Sequence, residues 1–506
     1  MTSFLEITLN SQHFPTRLCR RFTNCALIAA LGGCAQTQPS TLLDVAPELA
    51  ARVPIPEDQL NAALATSGRT PTDFWDGASP LSSETAVRCA LSENRMLRRT
   101  LLEADRRAAL LSDAQLPPNP TLSAAVGAPL NMGVIPVLAM IAGQIDWLWK
   151  RDAIVGEADA QLRSVLLESA TMVMATVVET RAAYVDAASV SEQAALASRD
   201  EQVALRVLAA EEATLATGQS TPAGVLRARM NAAEASNRVM TAEVSRVESM
   251  TRLLEAIGRG DHHLNWALSA KDTEAAVAEC ALPVVPAPND DAELTRLVNT
   301  HRFDVRAALA RAEGADARAR LAATGRLPSL MLGGGYERDM ESDSAAMFML
   351  ESRIPLFNDG RFLVGAAEAD AEIARIDADR IRQRAVIDAR RAAMDVRAAD
   401  HHAEVLREQT LGAFTALRSL LASAVDAGER PAVDLWRAEH QENHILLQLV
   451  QAERGRALAA LSFERALAGG RLPVMGGGMM APSQTGSMSN ASSAMTLDFT
   501  ALEEIE

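Results

Sequence analysis

The sequence predicts a mainly α-helical fold with a few membrane β-strands, laid out as two copies of helix, strand pair, long helix, turn and return helix. Three observations point there. From Arg151 to Thr217 there is no proline, and roughly 67 helical residues at ~1.5 Å each would span about 100 Å. Two pairs of short segments alternate apolar and polar residues. The two halves of the chain align at a constant offset of about 210 residues, without a gap from Pro118 to Ala228.

Composition agrees with long helices. Of 506 residues only 4% are aromatic while 48% are hydrophobic, and mean hydropathy is +0.01, which suits small-residue helix seams better than a compact aromatic core. A formal charge of −16 argues against nucleic acid as a partner, because phosphate binding needs concentrated Lys and Arg. No Walker loop, nucleophile elbow or cysteine metal cluster appears, so no enzyme class and no cofactor is indicated.

The N-terminal residues 1–33 read as an export signal: Arg17, Arg20 and Arg21 precede an apolar stretch from Phe22 to Gly33. The stretch ends Leu31-Gly32-Gly33-Cys34, similar to a bacterial lipobox, which implies lipidation at Cys34. Ala35 follows, where an Asp in this family of signals would retain the lipoprotein at the inner membrane, so the resemblance implies the outer membrane. Cys19 and Cys25 leave with the signal, and Cys89 and Cys280 remain as an optional disulfide pair. No segment reads as a transmembrane helix, since the best candidate, Pro129–Trp149, contains Pro129, Gly133, Pro136, Gly143 and Asp146.

The repeat rests on ordered landmarks. Pro118 matches Pro328, Arg151 matches Arg361, Arg181-Ala182-Ala183 matches Arg391-Ala392-Ala393, Leu196 matches Leu406, Gly218 matches Gly428, and Arg227-Ala228 matches Arg437-Ala438. A periplasmic linker over 34–80 precedes the first repeat, 81–282. A Pro-rich linker, 283–291, separates it from the second, 292–470, and a low-complexity tail fills 471–506. Each repeat opens with a helix, Ser83–Gln115 or Ala292–Gly325, stopped by Pro117 or Pro328. Strands follow at Thr121–Ala128 and Val137–Trp149, and at Ser329–Arg338 and Ala345–Leu356. A long helix then runs to Gly218 or Gly428, and a return helix ends near Gly258 or Gly469.

In the fourth strand Phe348, Leu350, Ile354 and Leu356 share one face with Ser352, opposite Glu351 and Arg353. In the second, Val137, Ala139, Ile141, Ile145, Trp147 and Trp149 oppose Gln144 and Asp146. This is the pattern of a membrane β-strand, and equally of a strand half-buried in a soluble sheet. If the strands enter lipid, four per chain cannot close a barrel, which needs about eight, so two or three chains must combine. Ile154, Leu162, Val165, Met172, Val173 and Val177 leave a seam on the long helix, as in a coiled coil with neighbours on more than one side.

Together these features resemble the TolC-type outer-membrane efflux channel family, in the lipoprotein branch that exports heavy metals or drugs. The most specific stretches are Leu116-Pro-Pro-Asn-Pro-Thr-Leu122, Ile354-Pro-Leu-Phe-Asn-Asp-Gly-Arg361 and Ala427-Gly-Glu-Arg-Pro-Ala-Val-Asp-Leu435. The resemblance implies a homotrimer whose α-barrel hangs into the periplasm below a twelve-stranded β-barrel in outer-membrane lipid. It implies a passive duct, with a periplasmic adaptor and an inner-membrane pump as partners. It assigns adaptor contact to the turns Gly218, Gln219, Ser220, Thr221 and Pro222, and Gly428, Glu429, Arg430 and Pro431. It places the periplasmic gate at Arg430, Asp434 and Arg437. Gly224 stands in the first turn where Asp434 stands in the second, and Arg437 stands where a second acid is common.

Two features suggest metal chemistry, each beside a plainer reading. His440 and His444 lie one helical turn apart, able to share an ion or to be a surface pair. The tail carries Met475, Met479, Met480, Met488 and Met495, soft ligands for copper or silver or incidental residues of a disordered tail. The competing functional classes are a periplasmic coiled-coil scaffold, which leaves the strands unexplained, and a metal-binding lipoprotein.

Overall fold

The computed structural model describes residues 41, 47–49, 60–61, 74–126, 137–218, 221–260, 262–263, 266–269, 291–338, 344–353, 357 and 359–468. Cys34 and its signal, Gln219, Ser220, Cys280, the linker up to residue 290 and the methionine-bearing tail lie outside the described residues.

The first half runs α1 (Ser83–Glu93), α2 (Arg95–Ala114), β1 (Thr121–Val126), β2 (Val137–Gln144), α3 (Trp147–Ala216) and α4 (Pro222–Ile257). The second runs α5 (Asp291–His301), α6 (Phe303–Thr324), β3 (Ser329–Arg338), β4 (Ser344–Arg353), α7 (Arg361–Glu404), a π-helical segment Val405–Leu411, α8 (Gly412–Asp426) and α9 (Ala432–Ala468). The element order repeats.

Local chemistry sets the ends. Ser82 caps α1 by accepting the Thr85 N–H at 3.1 Å, and Thr221 caps α4 with Pro222 in its first turn, where the missing proline N–H has no helical partner to lose. At 70 residues α3 is about 105 Å long. It buries residues on several sides, among them Leu162, Val173, Tyr184, Ala197 and Val203, as a helix with neighbours all round must.

Four expected elements differ in the structure. The helix expected over Ser83–Gln115 breaks at Asn94, whose side chain accepts from Met96 N and Leu97 N and starts a new helix. The one expected over Ala292–Gly325 breaks at Arg302. Its buried guanidinium meets both Asp304 carboxylate oxygens at 2.9 Å and the carbonyls of Ala385 and Ala466. Strand β2 stops at Gln144, short of Trp149; Trp147 and Trp149 belong to the first turn of α3, where Lys150 meets Asp146 at 2.6 Å. The second long helix is also interrupted by the π-helical segment, which has no counterpart in α3.

The strands form one antiparallel sheet in the order β1-β2-β3-β4, so β1 and β4 are its edges. Helices α2, α3, α6 and α7 pack side by side beneath the sheet, and α4, α3, α9 and α8 continue the layer farther along α3. Between the two levels, near the breaks at Asn94 and Arg302, lie the largest apolar clusters. One joins Leu91, Leu97, Val173, Val177 and Phe303, a second joins Trp75, Leu81, Tyr184, Leu253 and Ile257, and a third joins Val298, Ala389, Val396 and Phe463.

Candidate functional site

Register determines what each face of the sheet carries. Leu122 pairs with Ile141, Ile141 with Gly334 and Gly334 with Phe348. The same face takes Leu332 opposite Leu350. Its large side chains are unpacked: Leu122 is 75% exposed, Phe348 71%, Leu350 59% and Ile141 54%. The opposite face takes Gln144, Met331 and Glu351 in one row and Glu337 in another. One face is therefore bare and apolar, while the other mixes Gln144, Glu337 and Glu351 with methionines and small residues, an asymmetry of the kind a membrane strand shows between its lipid and lumen sides. The parity expected for Phe348, Leu350, Glu351 and Arg353 therefore holds in three dimensions.

Both layers have open edges among the described residues. Strands β1 and β4 each have a strand neighbour on one side only, which leaves one row of backbone hydrogen-bonding groups on each without a strand partner. The helical layer leaves Leu102 on α2, Met240 and Val244 on α4, Ile376 on α7 and Leu420 on α8 exposed along its two outer edges.

The strand-to-helix turn before α7 gives a physical role to the motif ending at Arg361. Gly360 has φ +75°, a left-handed conformation that side chains resist. Asp359 accepts from the Arg361 backbone N–H at 3.2 Å, and that bond holds its carboxyl below the usual range.

At the far end of α3 the two helix turns sit together. Gly218 and Gly428 both have φ +74° with open space where a Cβ would stand, so glycine is needed there for its conformation. Gly224, the counterpart of Asp434, donates its backbone N–H to the Thr221 hydroxyl at 3.2 Å. The residues expected at a gate are brought together: Asp434 meets Arg430 and Arg437, each at 3.4 Å. Arg437 also reaches Glu211 on α3 at 2.8 Å.

The imidazoles at His440 and His444 do not converge. His440 Nδ1 lies 2.5 Å from Asp200 on α3, while His444 faces Gln448 at 3.5 Å. Asp200 is buried and also takes Arg238 of α4 at 3.1 Å, so it joins three helices. Glu211 and Asp200 are not legible in the sequence as site residues, since the Arg437 and His440 they meet lie in the other half of the chain. Among the described residues no group of three or more His, Cys, Asp and Glu is placed to hold a metal.

Residues 294–469 match the family described as outer membrane efflux protein. Comparison with curated protein sequences gives no match. Among solved structures, a crystal structure of CusC superposes with a TM-score of 0.62 at 17% identity, covering 77% of this chain and 92% of that one. The outer-membrane channel OprN gives 0.61 at 19% identity, covering 81% and 95%. The outer membrane protein VceC from Vibrio cholerae gives 0.60 at 17% identity, covering 77% and 96%. At these identities the likeness is one of fold, and it extends over both halves.

Proposed function

We propose that this chain, which carries an outer membrane efflux protein match and the fold of the outer-membrane efflux channels, is the channel subunit of a tripartite efflux system and catalyses no reaction. The observation that carries this reading is the sheet: a bare apolar face at Leu122, Ile141 and Phe348 with unpaired edges at β1 and β4. Lipid covers the face, and other copies of the chain pair the edges. Three copies would give twelve strands, a size that leaves a lumen, and the helical layers would close beneath it into a tunnel through their apolar edges.

In this reading Cys34 carries lipid that anchors the mature chain, 81–282 and 292–470 are the two repeats of the wall, and 471–506 is an appended tail. The turns at Gly218–Pro222 and Gly428–Pro431 meet a periplasmic adaptor, which couples the tunnel to an inner-membrane pump. Arg430, Asp434 and Arg437 form the constriction near those turns. Substrates are heavy metals such as copper or silver, or drugs, delivered by the pump and carried passively.

Density-gradient fractionation of the native host tests this reading. The chain is expected with outer-membrane markers, and its deletion is expected to sensitise cells to at least one exported compound. Recovery in the soluble periplasmic fraction would instead favour a coiled-coil scaffold.

A further inference from the structure

All four methionines in the described strands lie on one face of the sheet, the face opposite Leu122, Ile141 and Phe348. Met140 on β2 and Met347 on β4 share a row, each paired with the Gly335 between them. Met349 stands opposite Gly333 in the next row, and Met331 opposite Glu351 in the row after that. None of the four is buried, and each is partly accessible, so they fill no core.

The two glycines keep the floor between them open. A Cβ on Gly335 would fall 2.6 Å from the Ala139 carbonyl oxygen and 3.2 Å from Met140 Cβ. One on Gly333 would fall 3.0 Å from Ala142 Cβ and 3.4 Å from Met349 Cε. The Met349 methyl therefore already leans over Gly333, and no side chain stands between Met140 and Met347. Strands β2 and β4 are two strand spacings apart, ~9.6 Å, and two unbranched thioether side chains can close that gap from either side.

We propose that Met140, Met347 and Met349, with Met331 beside them, form a soft-cation site on the glycine floor that takes Cu(I) or Ag(I). Thioethers are neutral, soft donors that select such ions over hard cations. A neutral donor set also releases its ion readily, as a site along a conduction path must. The proposal rests on the duct reading only in calling this face lumenal, and there it names the substrate class.

The test is titration of the detergent-purified full chain, carrying Cys89→Ala and Cys280→Ser so that no free thiol competes, with Ag⁺ by calorimetry. One variant combines Met140→Leu, Met347→Leu and Met349→Leu; another replaces the five tail methionines, Met475, Met479, Met480, Met488 and Met495, with Leu. Leucine keeps volume and apolarity, and native-gel mobility reports assembly separately. The strand variant is expected to lose at least about tenfold in Ag⁺ affinity, the tail variant to keep it, and both to migrate as the wild type. Should the triple variant misassemble, single Met347→Leu and Met349→Leu variants are each expected to bind more weakly than wild type. Unchanged affinity in the strand variants, a loss confined to the tail variant, or no Ag⁺ binding by the wild type would overturn the proposal. A wild type that binds Ag⁺ through these methionines but runs as a monomer would support the site and contradict the duct.

Discussion

Arg437 on α9 donates to Glu211 on α3 across 2.8 Å, joining the two halves of the chain near their turns. The same guanidinium meets Asp434, so one arginine holds an acid from each hairpin. Arg437 is 59% and Glu211 15% exposed, and solvent screening limits such a pair to ~0.2–1 kcal/mol. Its value to a duct is positional, since it sets how closely the two hairpins approach.

Arg437→Gln and Glu211→Gln are each expected to raise the ionic conductance of the purified channel in planar bilayers. The double variant is expected to conduct no more than the stronger single one, because both changes break one contact. Additive effects would place the two residues in separate roles.

Gly218→Val and Gly428→Val force side chains into φ +74°, a strain of about 1–2 kcal/mol each. Nothing lies within 4 Å of either added Cβ, so assembly in detergent is expected to persist while export fails at the adaptor. Wild-type minimum inhibitory concentrations in both variants would remove the turns from adaptor contact.

Phe348→Arg puts a charge on the face proposed for lipid and should cost ~2–4 kcal/mol at mid-membrane depth. Met347→Arg, one residue away on the opposite face, should be nearly silent for insertion. Heat-modifiable mobility on gels reads both; equal defects would indicate that both faces are packed in protein.

Burial pushes the Cys89 thiol up to about 12. A neutral buried thiol lends its full stability below about 9, its unperturbed value, and loses it as pH climbs toward 12. In a Cys280→Ser background, maleimide labelling of Cys89 at pH 8 is expected only after denaturation. Rapid native labelling would show that the cluster around Leu81 and Tyr184 opens.

The sequence announced the elements whose causes are local. Gly218 and Gly428 mark turns by their conformation, and Phe348 and Glu351 reveal opposite faces by parity alone. The break at Asn94 is legible as a helix cap, since Asn is a favoured N-cap residue. The one at Arg302 is not, because its guanidinium is satisfied by carbonyls at Ala385 and Ala466, far along the chain. Strand β2 ends at Gln144 although apolar alternation runs on to Trp149, because residues near a helix start mimic a strand until Asp146 begins the helix. The π-helical segment Val405–Leu411 has no proline or glycine within it to announce it. At the turns, Asp434 and its arginines share one stretch of sequence and could be grouped, whereas Glu211 lies 226 residues from Arg437 and only folding pairs them.

In the proposed duct the sheet closes with other copies, β1 of one chain beside β4 of the next. Ala124→Cys on β1, combined in turn with Ser344→Cys, Ala346→Cys or Phe348→Cys on β4, tests it by oxidation in native membranes followed by non-reducing gels. At least one pairing is expected to give a ladder of covalent species that stops at three chains. Monomers alone for every pairing, with the protein recovered at wild-type levels in the membrane, would contradict it.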